Sequence, residues 1–520
     1  MAFLARQGLA AAIAVVALLP LPGSGNVTTD GASVLSAAPL PQRAASGSDP
    51  GPGPSPASHP PAVSGSAALG ARLALEPRGR SAAHPPILAA VGAGEDEDGS
   101  RAVFWAWDFY QDLYYLVRAE LVFEGEGALI YVEHGAAVSE GAVKGLGALF
   151  EESVLPGVRT AYGNEPRPGI DGIDAVTILM LDVRDPLYYG AEPYTYYSGY
   201  FDPVNERRQA ELDLELPYYR SNEREMIYLD TAPTVAGGEV NRQTMAHELA
   251  HLVLWFTDPE EEEWLAEGLS ELAVWLSGLG HPREHITGFL ASPDVSLTSW
   301  VGDVRDYGKV YLFMLYTYEQ AADTDTGADT VWLRQLAAHP GHGLASLRDV
   351  LPVDRTLVEL LRDFAVAIYR DVPTGIDSRL GFESLDLADA PVGEQFMRPA
   401  PAVRRLAGMT AGEVELAPWS WKGLEFAPGN EAVDLEIVPD SGLCIGWYPA
   451  VDRRKPGTRC LGPGEAMAWP MATASGGGEP LQVFVANGLP LANRAAIAAA
   501  PHAAAQGGVD ALYVPLAIVR

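Results

Sequence analysis

The chain has 520 residues, which at roughly 150 residues per domain predicts about three structural units. Asp and Glu number 68 against 35 Lys and Arg, so the net charge is −33 at pH 7, and a surface of this sign repels phosphate backbones and anionic lipid headgroups. The composition therefore argues against nucleic-acid and membrane-surface binding, while 48% hydrophobic residues indicate a folded globular protein rather than a disordered acidic tail.

The N-terminal residues 1–25 have the pattern of a secretory signal peptide. Arg6 precedes an apolar run at residues 9–19, and prolines and small residues follow the run as far as Gly25. The run is short for a membrane span, and no later stretch is long and apolar enough to be a membrane anchor. We therefore expect cleavage near Gly25 and a secreted, extracellular protein.

Residues 26–100 are dominated by Ala, Pro, Ser and Gly and show no sustained hydrophobic period. Such a composition is typical of a flexible linker or of a propeptide, and the sequence leaves both interpretations open. If the segment is a propeptide, it cannot inhibit through a cysteine ligand, because Cys444 and Cys460 lie far downstream.

Aromatic residues become frequent after residue 101, where we expect a domain that extends to residue 396 and has a β-rich N-terminal part. Ser139 is a plausible cap for a helix that reaches about residue 154, and the Tyr-rich stretch 188–200 is predicted to be loop with packing aromatics. Strand-like apolar runs occur at residues 114–123, 128–132, 175–181 and 226–229.

Residues 241–386 have a mainly helical hydrophobic period. Two stripes carry it, namely Met245, Leu249, Leu252 and Phe256, and then Leu265, Leu269, Leu272 and Leu276. Beyond residue 397 the period changes to two, as at residues 433–437 and 481–485. This pattern predicts a C-terminal β-sandwich-like domain over residues 397–520.

The chain has two cysteines, which is too few for a zinc ribbon, an iron–sulfur site or a disulfide-dense scaffold. Cys444 and Cys460 are close enough in sequence to form one hairpin-like disulfide in an oxidising compartment. Two unpaired buried thiols are the alternative.

The most informative segment is an H-E-x-x-H motif at residues 247–251, inside the first helical stripe. On a helix, residues four apart share a face, so His247 and His251 can both present a ring nitrogen to one Zn²⁺ ion. Glu248 would then lie beside a water on the metal and accept its proton as general base. Two histidines and a glutamate on a helix surface without metal are the alternative.

A third ligand must complete such a site. A metzincin-type continuation is excluded, because Leu254 and Thr257 occupy the positions where that pattern has glycine and histidine. Glu267 lies sixteen residues after His251, at the start of the next amphipathic helix, and packing of the two helices would bring it toward the histidines. A solvated helix charge is the alternative for Glu267, since acidic residues are frequent there.

At these residues the sequence resembles the gluzincins, zinc peptidases with H-E-x-x-H on one helix and a metal-binding Glu on the next. It is most similar to the hyicolysin-type bacterial metallopeptidases, through residues 247–251 and 264–272 and more loosely through residues 221–230 and 306–318. The resemblance implies an α+β fold with a zincin-like peptidase domain, in which a small strand layer leads into a helical subdomain and the zinc lies between them.

By this resemblance His247, His251 and Glu267 bind zinc and Glu248 is the general base. The chain departs from the pattern at two positions: Ala266 stands where many gluzincins have Asn, and Glu271 stands where thermolysin-like members have Asp. We expect Glu271 to accept an N–H from His247 and so to fix its tautomer, with a surface charge as the alternative.

Peptide hydrolysis also needs a donor to the developing oxyanion, and Tyr307 is our candidate. Tyr311, Tyr316 and Tyr318 are alternatives, and a packing role for Tyr307 stays open. By resemblance to zinc peptidases in general, the strand at residues 226–229 would be the sheet edge that binds an extended substrate.

Other potential ligands lack a comparable spacing. His281 and His285 are separated by Pro282, which breaks the helix that would align them, so they are predicted to be surface residues. Asp171 and Asp174 lack the EF-hand pattern, and a structural Ca²⁺ at this pair has no further support.

The sequence therefore predicts a secreted zinc-dependent endopeptidase that hydrolyses peptide bonds of protein or peptide substrates with a zinc-activated water and a glutamate base. It predicts one catalytic Zn²⁺, no nucleic-acid partner and no membrane anchor, and it gives no indication of oligomeric state. Two alternatives stay open: a non-catalytic extracellular binding protein or adhesin with a degenerate peptidase domain, and a zinc hydrolase that acts on small amides.

Overall fold

The computed structural model describes most of the chain from residue 62 to residue 501. The described residues are 62–75, 94–95, 100–192, 195–322, 330–371, 377–387, 402–405, 412–427, 429, 433–449, 457–471 and 481–501. The predicted signal peptide and most of the predicted linker or propeptide lie outside them.

The first half of the described chain forms an eight-stranded mixed sheet. Its strands are β1 (Ala62–Ser64), β2 (Gly94–Glu95), β3 (Arg101–Asp108), β4 (Leu113–Glu124), β5 (Ala128–Glu133), β6 (Val176–Leu181), β7 (Tyr196–Phe201) and β8 (Met226–Asp230). Their spatial order is β1-β7-β8-β6-β5-β4-β3-β2. Strands β5, β6 and β8 run parallel, and the apolar residues of β6 and β8 are fully buried because both faces of the sheet are covered.

One sequence expectation about this sheet is wrong. Residues 226–229 do form a strand, but β8 lies between β7 and β6 and is not an edge. The strand next to the edge is β7, from the stretch predicted to be loop, and β1 pairs outside it in parallel. The aromatic residues of β7 are buried on both faces, so the strand lacks the alternation by which a half-exposed strand is recognised.

The helices lie between and after the strands, and most of them pack on one face of the sheet or in a subdomain beside it. They are α1 (Ser66–Leu75), α2 (Glu140–Leu149), α3 (Leu155–Tyr162), α4 (Gln209–Glu215), α5 (Glu239–Thr257), α6 (Glu263–Leu276), α7 (Arg283–Leu290), α8 (Val304–Ala322), α9 (Val331–Ala337), α10 (Gly343–Val350) and α11 (Leu357–Arg370). Ser139 caps α2 as predicted, and a π-helical turn at Phe150–Val154 joins α2 to α3. One buried apolar cluster joins the sheet to α5, α6, α8 and α11.

The C-terminal strands form two sheets that enclose a second apolar core. The strands are β9 (Ala402–Arg405), β10 (Gly412–Leu416), β11 (Ser420–Ala427), β12 (Val433–Pro439), β13 (Leu443–Pro449), β14 (Gly457–Leu461), β15 (Met467–Met471), β16 (Leu481–Asn487) and β17 (Asn493–Pro501). One sheet has the order β10-β17-β12-β15 and the other β14-β13-β16-β11-β9. Cys444 and Cys460 face each other across β13 and β14 and form a disulfide.

The second of these sheets also packs against the helical subdomain. Trp421 on β11 and Phe484 on β16 belong to the same buried cluster as α8 and α11, and the Trp421 ring lies 5.3 Å from that of Phe364 on α11. The predicted boundary at residue 397 falls outside the described residues, and the parts on either side of it share one core.

The predicted mixed α and β class and the β-sandwich-like C-terminal sheets are confirmed. Within the described part of the chain, no helix combines the length and the apolar character needed to cross a membrane.

Candidate functional site

Helix α5 carries the H-E-x-x-H motif and is held against the sheet at two points. The Asn241 side chain donates to the carbonyl of Asp230 at the end of β8, at 2.9 Å, and the Thr244 hydroxyl donates to that of Ser198 on β7, at 2.9 Å. The helix is buried on most of its surface, so His247 and Glu248 point into the protein rather than into solvent. The motif therefore lies directly beneath the β7 side of the sheet.

The structure brings together the three predicted metal ligands. His247 Nε2 and His251 Nε2 are 3.0 Å apart, and Glu267 Oε2 on α6 lies 3.1 Å from the first and 3.3 Å from the second. His247 and Glu267 are 4% and 1% exposed. Donor atoms on a tetrahedral zinc with bonds of about 2.0–2.1 Å would be about 3.3 Å apart, so the spacing fits this ion.

The chemistry of the donors also fits a cation. His247 Nδ1 lies 3.0 Å from Glu271 Oε1, so Nδ1 carries the proton and, in the neutral ring, Nε2 presents a lone pair toward the lone pairs of His251 and Glu267. Burial lowers the pKa of His247, but Glu267 and Glu271 outweigh burial and raise it, so without a cation the ring holds a second proton more readily. Zinc binds neutral imidazole and carboxylate, so it would replace that proton.

Glu271 joins two histidines. Its Oε1 accepts from His247 and its Oε2 lies 2.9 Å from Nδ1 of His285 on α7. Burial raises the pKa of the Glu271 carboxyl, but His285 and His247 outweigh burial and lower it to about 2. The expectation that Glu271 holds His247 agrees with this geometry.

His285 is a site residue that the sequence analysis placed on the surface, and that prediction is wrong. Its side chain is 16% exposed, and its Nε2 lies 2.9 Å from the carbonyl oxygen of Ala62. Pro282 directly precedes α7 and does not interrupt it, so the helix can direct His285 into the site. The sequence signal for His285 was indirect. Glu271 lies one helical turn after Glu267, and a carboxylate at this position has a second oxygen that needs a partner.

Glu248 lies beside the three candidate ligands, and one of its carboxylate oxygens is hydrogen-bonded. Its Oε2 accepts a hydrogen bond of 2.6 Å from the hydroxyl of Ser66, a residue that the sequence analysis did not single out. Among the described residues its Oε1 has no hydrogen-bond partner, although the side chain is fully buried. A buried carboxylate with a free oxygen is able to accept a proton from a nearby water.

Of the four candidate tyrosines, Tyr307 is the one at the site. Its hydroxyl donates to the carbonyl of Ser64 at 3.2 Å, and its ring centroid lies 6.1 Å from that of His247. Burial raises the pKa of Tyr307 well above its usual value, so the hydroxyl stays a donor. The alternatives make contacts elsewhere: Tyr311 with His281, Tyr316 with the carbonyl of Arg379, and Tyr318 with the ring of Trp275.

Two cavities open on this group of residues. One, of about 320 Å³, is lined by His247, Glu248, Glu271 and His285. The other, of about 660 Å³, is lined by His251, Glu267 and the acidic loop between α5 and α6. Residues of β1 line the first cavity and the start of α1 lines the second.

A second group of potential ligands lies on that acidic loop. Asp258, Glu261 and His342 are partly exposed, and each already has a protein partner: Asp258 lies 3.0 Å from His342 Nδ1, and Glu261 accepts from the amide of Gly343 at 2.6 Å. Among the described residues, this group and the three ligands above are the clusters able to hold a metal. Asp171 and Asp174 belong to neither.

Comparison with known proteins gives no assignment. Neither a protein-family model nor a curated protein matches the chain. Solved structures that match include a de novo designed double-stranded β-helix, with 16% identity over 17% of this chain and 96% of that chain at a TM-score of 0.13. The Drosophila melanogaster CENP-C cupin domain matches with 8% identity over 18% of this chain and 56% of that chain, at a TM-score of 0.14. The pre-peptidase C-terminal domain of a Bacillus anthracis collagenase matches with 9% identity over 19% of this chain and 96% of that chain, at a TM-score of 0.16.

Proposed function

We propose that the chain is a secreted zinc-dependent endopeptidase of the gluzincin type, with a zincin-like catalytic domain. The observation that carries this proposal is the convergence of His247 Nε2, His251 Nε2 and Glu267 Oε2, at 3.0–3.3 Å from one another, beside the buried carboxylate of Glu248. The disulfide between Cys444 and Cys460 supports export, because such bonds persist in oxidising compartments.

Zinc, when bound by these three residues, polarises a substrate carbonyl and lowers the pKa of a water molecule. Glu248 accepts the proton of that water through a carboxylate oxygen as the water oxygen bonds to the carbonyl carbon. It then delivers the proton to the amide nitrogen, and the carbon–nitrogen bond breaks. Glu271 keeps the proton on His247 Nδ1, so that Nε2 stays available as a ligand.

The contacts of two donors support binding of a peptide carbonyl in the cleft. The Tyr307 hydroxyl and His285 Nε2 each contact a backbone carbonyl of β1, which lies along β7 as an extended peptide. A substrate in the same groove would present its carbonyls to the same donors. Donors of this kind stabilise the negative charge that develops on the carbonyl oxygen.

The test is cleavage of a reduced, unfolded protein by the purified chain before chelation, after chelation and after zinc is restored. We expect cleavage that disappears and returns, and one zinc per chain in the active protein. The contrary result is a chain that holds one zinc but hydrolyses neither unfolded proteins nor small amides. If this holds both for the intact chain and for a chain cut between residues 75 and 94, it would contradict the proposal and favour a binding protein. Cleavage of small amides alone would identify a different hydrolase.

A further inference from the structure

A short stretch of the chain, residues 62–69, occupies the cleft that holds the candidate catalytic residues. It consists of β1, Gly65 and the first turn of α1, and we call it the occluding segment. We propose that the occluding segment is an intramolecular inhibitor, which fills the substrate groove and must leave it before a peptide can bind. The proposal rests on the proposed peptidase function and adds its regulation.

The occluding segment takes the place of a substrate strand at the sheet edge. Ala62 and Val63 pair with Tyr196 and Tyr197 of β7, and the amide of Gly65 donates to the carbonyl of Gly199 at 2.9 Å. Extended peptides bind to exposed strands through main-chain hydrogen bonds of this kind. While the segment is in place, these groups of β7 are not available to a substrate.

The same segment contacts the proposed base and both proposed carbonyl donors. Ser66 donates to Glu248 at 2.6 Å, the Ser64 carbonyl accepts from Tyr307 at 3.2 Å, and the Ala62 carbonyl lies 2.9 Å from His285 Nε2. The proposed base and both carbonyl donors are thus bound to the chain itself. Glu248 Oε2, in particular, accepts from the hydroxyl of Ser66.

The segment contacts the proposed base through a side chain. The group that faces Glu248 is the side-chain hydroxyl of Ser66, not a peptide carbonyl. A hydroxyl has no acyl bond to hydrolyse, so this contact does not lead to cleavage of the segment.

The two cavities show what removal of the segment would open. Ala62, Val63 and Ser64 form a wall of the cavity that contains His247 and Glu248. Ser66, Ala67 and Gly70 form a wall of the cavity that contains His251 and Glu267. Removal would therefore join the two cavities into one groove that passes the candidate metal ligands, as an endopeptidase requires.

Gly65 and Leu69 anchor the segment. Leu69 is 2% exposed and packs into the aromatic core on the outer face of the sheet. A Cβ on Gly65 would lie 2.5 Å from Cζ of Phe109 and 3.1 Å from Cβ of Tyr200, whereas a Cβ on Gly70 would meet no atom within 4 Å. Gly65→Ala should therefore displace the segment, and Gly70→Ala is the matched control.

The experiment uses the full chain with a recognition site for a specific protease inserted between Leu75 and Gly94. After cleavage, release of the N-terminal fragment is followed by gel filtration, and hydrolysis of an unfolded protein is compared with that of the uncut chain. A fluorescent synthetic peptide of residues 60–75 is then added back, and its binding is measured by anisotropy. The same peptide with Gly65→Ala or with Gly70→Ala is tested beside it.

We expect the cut chain to hydrolyse the substrate at least about tenfold faster than the uncut chain, and the peptide to reverse this gain. Because overpacking at Gly65 disturbs the fit, the Gly65→Ala peptide should bind about tenfold more weakly, and the Gly70→Ala peptide should bind like the native one. Equal binding of all three peptides, or no binding, would overturn the proposal. The cut chain could also bind the native peptide, fail to bind the Gly65→Ala peptide and hydrolyse nothing. This result would support occlusion and contradict the peptidase function, so the two proposals fail separately.

Discussion

Glu271 Oε1 lies 3.0 Å from Nδ1 of His247, on the side of the imidazole opposite the nitrogen that faces Glu267. This contact fixes the tautomer that a metal ligand needs, and it comes from a residue one helical turn beyond Glu267. The same carboxylate holds His285 on the wall of the cleft. One buried glutamate thus positions both a candidate ligand and a candidate donor.

Glu271→Gln should weaken zinc binding about 10- to 100-fold, because an amide cannot accept from both imidazoles as the carboxylate does. Zinc affinity is measured by competition with a chromogenic chelator. Glu263→Gln on the same helix is the control, since it makes the same substitution at a glutamate that has no hydrogen bond to either histidine. Equal zinc affinities of the two variants would show that Glu271 does not act through His247.

Glu248→Gln should retain zinc and lose activity about 100- to 10,000-fold, because the amide cannot accept the proton of the attacking water. Zinc content by mass spectrometry and hydrolysis of an unfolded protein are measured on the same preparation. Peptide turnover at the wild-type rate would remove Glu248 from the role of general base.

Tyr307→Phe should lower kcat about 10- to 1,000-fold and leave zinc content unchanged, because it deletes a donor to the carbonyl oxygen without touching a ligand. Tyr311→Phe is the matched control: it lies one turn further along α8, and its hydroxyl is bound to His281. A similar loss of kcat in both variants would indicate a packing effect instead of a role in catalysis.

Trp421→Ala should destabilise the protein by about 3–5 kcal/mol, because the ring is 1% exposed and packs on Phe289 and Phe364 of the helical subdomain. Unfolding in urea is followed by circular dichroism and by zinc release. We expect both signals to shift together. Zinc release that keeps its wild-type midpoint would mean that the C-terminal sheets and the helical subdomain unfold independently.

Asp202 gives the protein a pH-dependent stability in the acid range. Burial raises its pKa to about 6 from the usual 3.8, so the folded state holds this proton more tightly than the unfolded state does. The resulting contribution to the free energy of unfolding is fully present below about pH 4 and is lost as the pH rises through 6. The loss is at most about 3 kcal/mol.

Asp202→Asn should therefore gain stability relative to wild type between pH 4 and pH 7, because the amide has no proton to lose. Urea unfolding at several pH values measures the difference. Asp213→Asn, at an exposed position, is the control and should show no such trend. A constant difference between Asp202→Asn and wild type across this range would contradict the raised pKa.

The sequence brought out the candidate ligands because their signals are local. The spacing of His247 and His251 places them on one face of a helix, and the amphipathic pattern placed Glu267 on the next helix. The strands β4, β5, β6 and β8 were found for the same reason: each is a continuous or alternating apolar run that fits one period.

The neighbours of the ligands could not be found in this way, because they come from distant parts of the chain. His285 contacts the carbonyl of Ala62 and Ser66 contacts Glu248, at sequence separations of 223 and 182 residues. No local pattern records such pairs. The wrong prediction that β8 is an edge strand has the same cause. Strand order is decided by tertiary packing and not by the residues of one strand, and in the structure β7 and β1 lie outside β8.

The metal centre is the central claim, and X-ray absorption at the zinc edge tests it most directly. Applied to the purified chain with its zinc content measured, it should show one zinc with two imidazoles, at least one carboxylate oxygen and no sulfur, and Glu267→Gln should change the ligand set. A chain that binds no zinc, or whose zinc signal is the same in Glu267→Gln, would contradict the site formed by His247, His251 and Glu267.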